Sequence, residues 1–325
     1  MRWVFSNRAS AILYNLFISY KKKDEKIEFC LPSNICPIVP SICLKAKLKF
    51  RFVDVLKTNG CIDLKKTEKI IKNIKSPGLI YVHNLGCIDK NLGSKFKRLK
   101  KIKKNIIIID DRCSAKINFE KKKIEPKSDV TLYSTGYAKY VEMGFGGIAY
   151  LSSDVDYRPQ KLSYNKKHLI DWSKNINYSL RNRKKFKYVD NNWLDTSIPK
   201  ISISRFKQKI IEKQKKIEIH KALLNEIYKT NLPKKIQAPI QLCNWRFSIF
   251  IKNKNLLIKN IFKKGLFASS HYDDVSEIFG FSGQSTHAKK FEKNIVNLFN
   301  DYRFSIDDTL EVCKIVNNHY EKISN

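Results

Sequence analysis

The sequence predicts an α/β fold, a mainly parallel sheet lying between helices, with a smaller α+β domain at the C-terminal end. Three observations carry that prediction. Short apolar runs alternate with helix-period segments from Arg2 to Leu151, the pattern of a parallel sheet wrapped by its crossover helices. His83, Asp110, Asp111 and Lys139 stand at or just beyond the ends of those runs, and parallel α/β sheets gather ligands at the carboxyl ends of their strands. Beyond a long lysine-studded helix, Pro233 and Pro239 interrupt the chain and a new strand–helix pattern begins. This predicts a large domain over 1–203, a connecting helix over 204–232 and a small domain over 233–325.

Residues 2–5 read as a strand, and the polar turn Ser6-Asn7-Arg8-Ala9-Ser10 leads into a helix over Ala9–Tyr20, with Ile12, Leu13, Leu16 and Phe17 on one face. The N–H groups at such a helix start can hold a phosphate, although capping alone gives the same pattern. A strand over Lys26–Leu31 runs into Pro32-Ser33-Asn34-Ile35-Cys36-Pro37, followed by a helix over Ile38–Ala46 and a strand over Lys49–Val55. Asp63-Leu64 opens a helix to Ile74, Gly78–His83 is an apolar strand, and Gly93–Lys104 is a basic helix. Asn105–Ile109 is a strongly apolar strand that ends in Asp110-Asp111, a pair that either caps a helix or fixes a functional carboxylate at the sheet edge. Past Asp154 the chain turns polar and helical up to Lys187, then passes through an aromatic, amide-rich loop over Tyr188–Asp195 to a helix over Ser204–Thr230. Trp245–Ile251 reads as a strand, Lys254–Lys264 as a helix and Leu266–Ser270 as a strand; Phe291–Leu298 and Ile306–Tyr320 complete the small domain.

The composition narrows the class of function. With 325 residues and 42% hydrophobic content the chain can bury a sizeable core. No run of about 18 apolar residues exists, and the N-terminus lacks a signal-peptide core, so a cytoplasmic protein that does not enter the membrane is expected. The eight cysteines form no C-x-x-C pair, which reads as reduced, buried thiols and no metal site. The formal charge of +34 invites a nucleic-acid reading. Only eleven of the 64 basic residues are arginine, however, and the lysines are spread from end to end, whereas a nucleic-acid surface concentrates charge and uses arginine. The expected partner is a small molecule.

The stretch Tyr133 to Gly147 holds a single lysine, Lys139, among aromatic and small residues, before Gly144, Gly146 and Gly147. Surroundings of this kind predict a desolvated amine, and desolvation lowers an amine's pKa and makes it nucleophilic. A phosphate-accepting turn, an aspartate ending a buried strand, a lysine 28 positions after Asp111 and a serine five before that lysine together suit pyridoxal 5'-phosphate. That cofactor needs a lysine to carry it, an acid for its ring nitrogen and donors for its phosphate.

On these residues the chain resembles the DegT/DnrJ-type sugar aminotransferases, fold-type-I pyridoxal-phosphate enzymes. The resemblance runs from about Ser6 to the C-terminal helix. Its pieces are Leu31 to Pro37, Phe52-Val53-Asp54, Val82-His83 with Gly86, Ile109-Asp110-Asp111, Ser134 to Lys139 with Gly144-Phe145-Gly146-Gly147, Trp245-Arg246-Phe247, and His271-Tyr272. It implies that Lys139 forms the Schiff base and that Asp111 pairs with the pyridinium. Ser134 and the turn Asn7, Arg8 and Ala9 would hold the phosphate, Cys36 and Ser114 would face the ring, and Asn192 would reach the phosphate of a neighbouring subunit. A homodimer, glutamate as amino donor, a nucleotide-linked keto-sugar as acceptor and a role such as polysaccharide biosynthesis follow from the same resemblance. The sequence departs from the family pattern at Ser114 (usually Gln), Cys36 (often aromatic), Ala138 (Thr), Phe145 (acidic) and Leu194 (Arg). These departures leave open a homologue that binds sugar nucleotide or a partner without transamination. Arg246 is a candidate for pairing with a substrate carboxylate if the substrate is an amino acid, beside the plainer reading of a structural arginine.

Overall fold

In a computed structural model that describes residues 2–120, 127–281 and 285–324, the alternating apolar runs of the first half become one seven-stranded sheet. Its strands are β1 (Arg2–Ser6), β2 (Ile27–Pro32), β3 (Lys49–Val53), β4 (Ser76–Val82), β5 (Ile107–Asp111), β6 (Val130–Ser134) and β7 (Gly147–Leu151), in the order β1-β7-β6-β5-β4-β2-β3. Strands β2 to β6 run parallel, whereas β7 is antiparallel to both β6 and β1. The β6–β7 turn, the end of β1 and the ends of β4 and β5 therefore share one edge. Lys139, Asn7, His83 and Asp111 meet there because of topology, not sequence proximity.

Helices α1 (Ala9–Lys23), α2 (Ile38–Lys45), α3 (Leu64–Ile71) and α4 (Leu92–Ile102) cross between these strands. Successive strand residues face opposite sides. Phe29, Leu31, Ile80, Ile109 and Leu132 pack with Ile12, Leu16 and Phe17 of α1, while Cys30, Leu79, Tyr81 and Ile108 pack with Ile71 of α3 and Phe96 and Leu99 of α4. Each fully buried Ile, Leu or Phe of this kind contributes about 1.5–3 kcal/mol. The alternation also sends the two acids that end β5 to opposite faces, Asp110 with Ile108 and Asp111 with Ile109.

Helix α5 (Lys166–Asn182) and the 29-residue α6 (Ile203–Asn231) follow. A second, antiparallel sheet has the order β8-β10-β9, from β8 (Phe247–Phe250), β9 (Ala268–Ser269) and β10 (Ile295–Leu298), with α7 (Lys254–Lys263), α8 (Thr286–Asn294) and α9 (Ile306–Ser324). Its core joins Leu224 and Tyr228 of α6 to Leu257, Ile261, Val312 and Val316.

Three expected strands are shorter than the apolar pattern suggests, and of Leu266–Ser270 only Ala268–Ser269 is paired. The run to Val55 ends at Val53 because the Asp54 carboxylate accepts from the N–H groups of Val55 (2.9 Å), His287 (3.2 Å) and Ala288 (3.1 Å), capping α8. Strand β8 starts at Phe247 and not at Trp245, because the Trp245 N–H leaves the sheet to donate to the Leu85 carbonyl at 3.3 Å. Among the described residues no helix is long and apolar enough to cross a membrane.

Candidate active site

Two backbone elements make the floor of the site. The first turn of α1 begins at Arg8 with no side-chain cap. Its Asn7 N–H, an expected phosphate donor, instead donates to the Ser197 carbonyl at 3.2 Å. Among the described residues, the N–H groups of Arg8, Ala9 and Ser10 have no partner, so the donor set starts one residue later than the sequence suggests. Gly147 starts β7 directly against this turn: a β-carbon there would lie 2.3 Å from both Ala9 N and Ala9 Cα. Gly146 (φ 102°) needs both a positive φ and the absence of a side chain, since a β-carbon would stand 2.3 Å from Thr135 Oγ1.

The β6–β7 turn folds over that floor. Thr135, buried, ties the turn shut by donating from Oγ1 to the Phe145 carbonyl at 2.6 Å, and the Met143 N–H donates to the Thr135 carbonyl at 2.8 Å. The Arg8 guanidinium donates to the Gly144 carbonyl at 2.9 Å. Ser134 Oγ accepts from the Gly136 N–H at 3.3 Å and keeps its own proton free. A β-carbon on Gly136 would sit 3.5 Å from Ser134 Oγ and 4.0 Å from Arg8 Nη1, so this glycine leaves a space open between a hydroxyl and a guanidinium. Lys139 is half-buried, and among the described residues its amine has no hydrogen bond or ion pair. The full desolvation expected for it is not found.

On the adjoining strand the two acids behave differently. Asp110 is fully buried and accepts from Arg112 Nε at 2.7 Å, with His83 Nε2 2.5 Å from its other oxygen. Burial pushes its pKa up, but His83 and Arg112 outweigh burial and hold the carboxyl below the ordinary value. Asp111 is 7% exposed and accepts the Cys113 N–H at 2.9 Å. Burial and the Asp111 charge push the Cys113 thiol well up, against the opposing pull of Lys139. The Tyr272 hydroxyl is pushed up by Cys36, by burial and by Asp111 and Cys113, while burial and the charges of Lys254 and Lys139 push His271 down. Cys113 thus lies within reach of both the Asp111 and the Lys139 charges, Tyr272 within reach of Asp111, and His271 within reach of Lys139.

The Tyr272 hydroxyl lies beside the Cys36 thiol, so an aromatic ring stands near the position where the family pattern often has one. Phe145 packs against Phe206 with ring centroids 5.6 Å apart, so this departure serves the turn's packing. Ser114 is half-buried, and its carbonyl lies where a β-carbon on Gly86 would meet it at 2.8 Å. Asn192 is exposed. Its N–H donates to His168 Nδ1 at 3.3 Å and its carbonyl accepts from the Asn165 N–H at 2.7 Å, with no contact to the pocket residues of its own chain among those described. Arg246 is 1% exposed and forms an ion pair with Asp301 at 3.0 Å, with its guanidinium 4.0 Å from the Phe299 ring centre. Sequence reasoning missed Thr135 and the Trp245 indole, which donates to the Ala138 carbonyl at 2.9 Å; a contact across 107 positions leaves no local signal.

This architecture is that of the fold-type-I aminotransferases. The sugar aminotransferase-like neighbours include a protein described as sugar aminotransferase Spr1654 from Streptococcus pneumoniae, at TM-score 0.74 and 14% identity over 99% of this chain and 88% of that one. Helicobacter pylori PseC, an aminotransferase involved in the biosynthesis of pseudoaminic acid, superposes at TM-score 0.72 and 14% identity over 99% and 87%. A DegT DnrJ EryC1 StrS aminotransferase from Brucella abortus superposes at 0.69 and 13% over 98% and 86%. In sequence, a Plasmodium berghei protein described as cysteine desulfurase PbSufS is 32% identical over 119 residues, 35% of this chain but only 22% of that protein. No protein-family profile matches the chain.

Proposed function

We propose that the chain is a pyridoxal-phosphate-dependent aminotransferase that moves an amino group from glutamate to a nucleotide-linked keto-sugar. The observation that carries this reading is the convergence, at one sheet edge, of a lysine unpaired among the described residues, a strand-end carboxylate and a helix start with free N–H groups beside a serine and an arginine. That donor set fits the cofactor. The N–H groups of Arg8, Ala9 and Ser10, the Arg8 guanidinium and Ser134 Oγ suit a phosphate dianion, and the space kept open by Gly136 lies between the last two.

When bound, pyridoxal phosphate supplies an aldehyde for the substrate amine and a protonated ring that withdraws electrons from the reacting carbon. Lys139 Nζ would hold the cofactor, and as a free amine it would take the proton from the α carbon of the donor and return one to the carbon that receives the amine. Asp111 would pair with the ring nitrogen and keep it protonated. Tyr272, Cys36 and Cys113 would stand beside the ring. The net exchange converts glutamate and a keto-sugar into 2-oxoglutarate and an amino-sugar.

Asn192, exposed and unused by its own pocket, suits a homodimer in which it contacts the partner's cofactor phosphate. The proposed division remains a large unit over 1–203, a connecting helix over 204–232 and a small unit over 233–325, working in the cytoplasm. The test is a spectrum of the protein incubated with pyridoxal phosphate, followed by borohydride reduction and peptide mapping. The reading requires a reducible adduct on Lys139 and a spectral change on adding glutamate. Binding of a sugar nucleotide without any adduct would sink it in favour of a non-transaminating binder.

A further inference from the structure

Ala138, the residue before Lys139, has a left-handed backbone with φ 56°, a conformation that glycine takes freely and a residue with a β-carbon resists. Both of its backbone polar groups are held by side chains. The N–H donates to Glu142 Oε2 at 2.8 Å, and the carbonyl accepts from Trp245 Nε1 at 2.9 Å. Neither side chain is loose. Glu142 is paired with Arg303 at 3.1 Å, and its carbonyl accepts from Lys213 Nζ at 2.5 Å. The Trp245 N–H is tied to Leu85, its carbonyl accepts from Lys221 Nζ at 2.6 Å, and the Arg246 guanidinium lies 5.2 Å from its ring centre. With its backbone and ring face fixed, the indole has its N–H edge directed at the lysine turn.

We propose that Trp245 is a positioning residue for Lys139. Its indole N–H, together with the Arg303–Glu142 pair, keeps Ala138 left-handed and so sets the direction from which the Lys139 side chain enters the pocket. This rests on Lys139 being the attachment point. Its consequence is that the reactivity of Lys139 depends on how Trp245 and Arg303 seat on the β6–β7 turn.

The experiment compares wild type with Trp245→Phe, Ala138→Gly, the double variant and Lys139→Ala as blank. One readout is the rate at which pyridoxal phosphate and borohydride trap Lys139, followed by peptide mass. The other, independent of the cofactor, is amide hydrogen exchange of residues 135–147. Phenylalanine keeps the ring and removes the N–H, so trapping slows by about tenfold, the scale set by one unfavourable left-handed residue, and exchange accelerates. Glycine needs no clamp, so adding Ala138→Gly to Trp245→Phe recovers most of the trapping rate. Wild-type trapping and exchange in Trp245→Phe overturn the proposal. So does a loss that Ala138→Gly does not rescue, because packing by the ring would then be the cause. Faster exchange in Trp245→Phe with no trapping in any protein overturns the functional reading of Lys139 and leaves only the clamp.

Discussion

Lys139 and Lys221 are both lysines set among aromatic rings, one in the β6–β7 turn and one in α6, and the molecule surrounds them in opposite ways. Lys221 is 4% exposed and donates to the Trp245 carbonyl and to Asn300 Oδ1 at 2.7 Å, with its amine 5.1 Å from the Tyr140 ring centre. Burial first, and the neighbouring Arg246 second, push its pKa well below the ordinary value. Lys139 is half-buried and unbonded. The desolvation that the sequence suggests for Lys139 is realised at Lys221, where it produces a structural donor. Lys139 differs by having no partner among the described residues, at the same sheet edge as Asp111. Availability, more than burial, separates the reactive amine from the inert one.

The sharpest way to break this comparison is to remove each amine. Lys139→Ala is expected to lower turnover by about a thousandfold or more and to leave stability within about 0.5 kcal/mol of wild type. Steady-state assays and denaturant melts of the same preparations check both halves. A Lys139→Ala protein that still turned over would remove the contrast.

Asp110 and Asp111 repeat the pattern one residue apart. Asp110→Asn breaks a buried network and is expected to cost about 3–5 kcal/mol in urea unfolding. Asp111→Asn is expected to leave stability nearly unchanged while weakening pyridoxal phosphate binding, read by equilibrium titration. Acid adds a sign. The pKa of Asp110 is lowered in the folded state, as are those of Asp54 and Asp301. The unfolded chain therefore takes up protons first as pH falls below about 4, and stability drops from there downward. Asp110→Asn flattens that drop.

Much of this was legible in the sequence because it is local. The short apolar runs pointed to the strands, Asp63 to the start of α3, which it caps through its bonds to the Lys65 and Lys66 N–H groups, and the order of Asp111, Ser134 and Lys139 to the carboxyl edge. What stayed hidden depends on tertiary partners. The sequence has no means of showing that the Asn7 N–H is taken by Ser197, or that Tyr272 stands beside Cys36. Nor does it show that Lys221, one lysine among several on α6, is the desolvated one. The single word lysine covers two environments that only packing distinguishes.

The smallest effect expected is the most specific to Lys221. Replacing it by Met leaves the Trp245 carbonyl and Asn300 Oδ1 without their donor and is expected to cost about 1–3 kcal/mol at neutral pH. The pH dependence then separates this amine from an ordinary surface lysine. The folded-state pKa is lowered, so between it and the unfolded value near 10.4 the unfolded chain carries the extra proton. Stability of the wild type therefore rises with pH across that window, by at most about 1.4 kcal/mol per pH unit. Met cannot titrate, so the Lys221→Met curve lacks this rise and the gap between the two proteins widens from neutral pH up to the onset of tyrosine ionisation near 10. Urea melts across that range read the gap directly, and parallel curves for the two proteins would mean that Lys221 keeps its proton when buried.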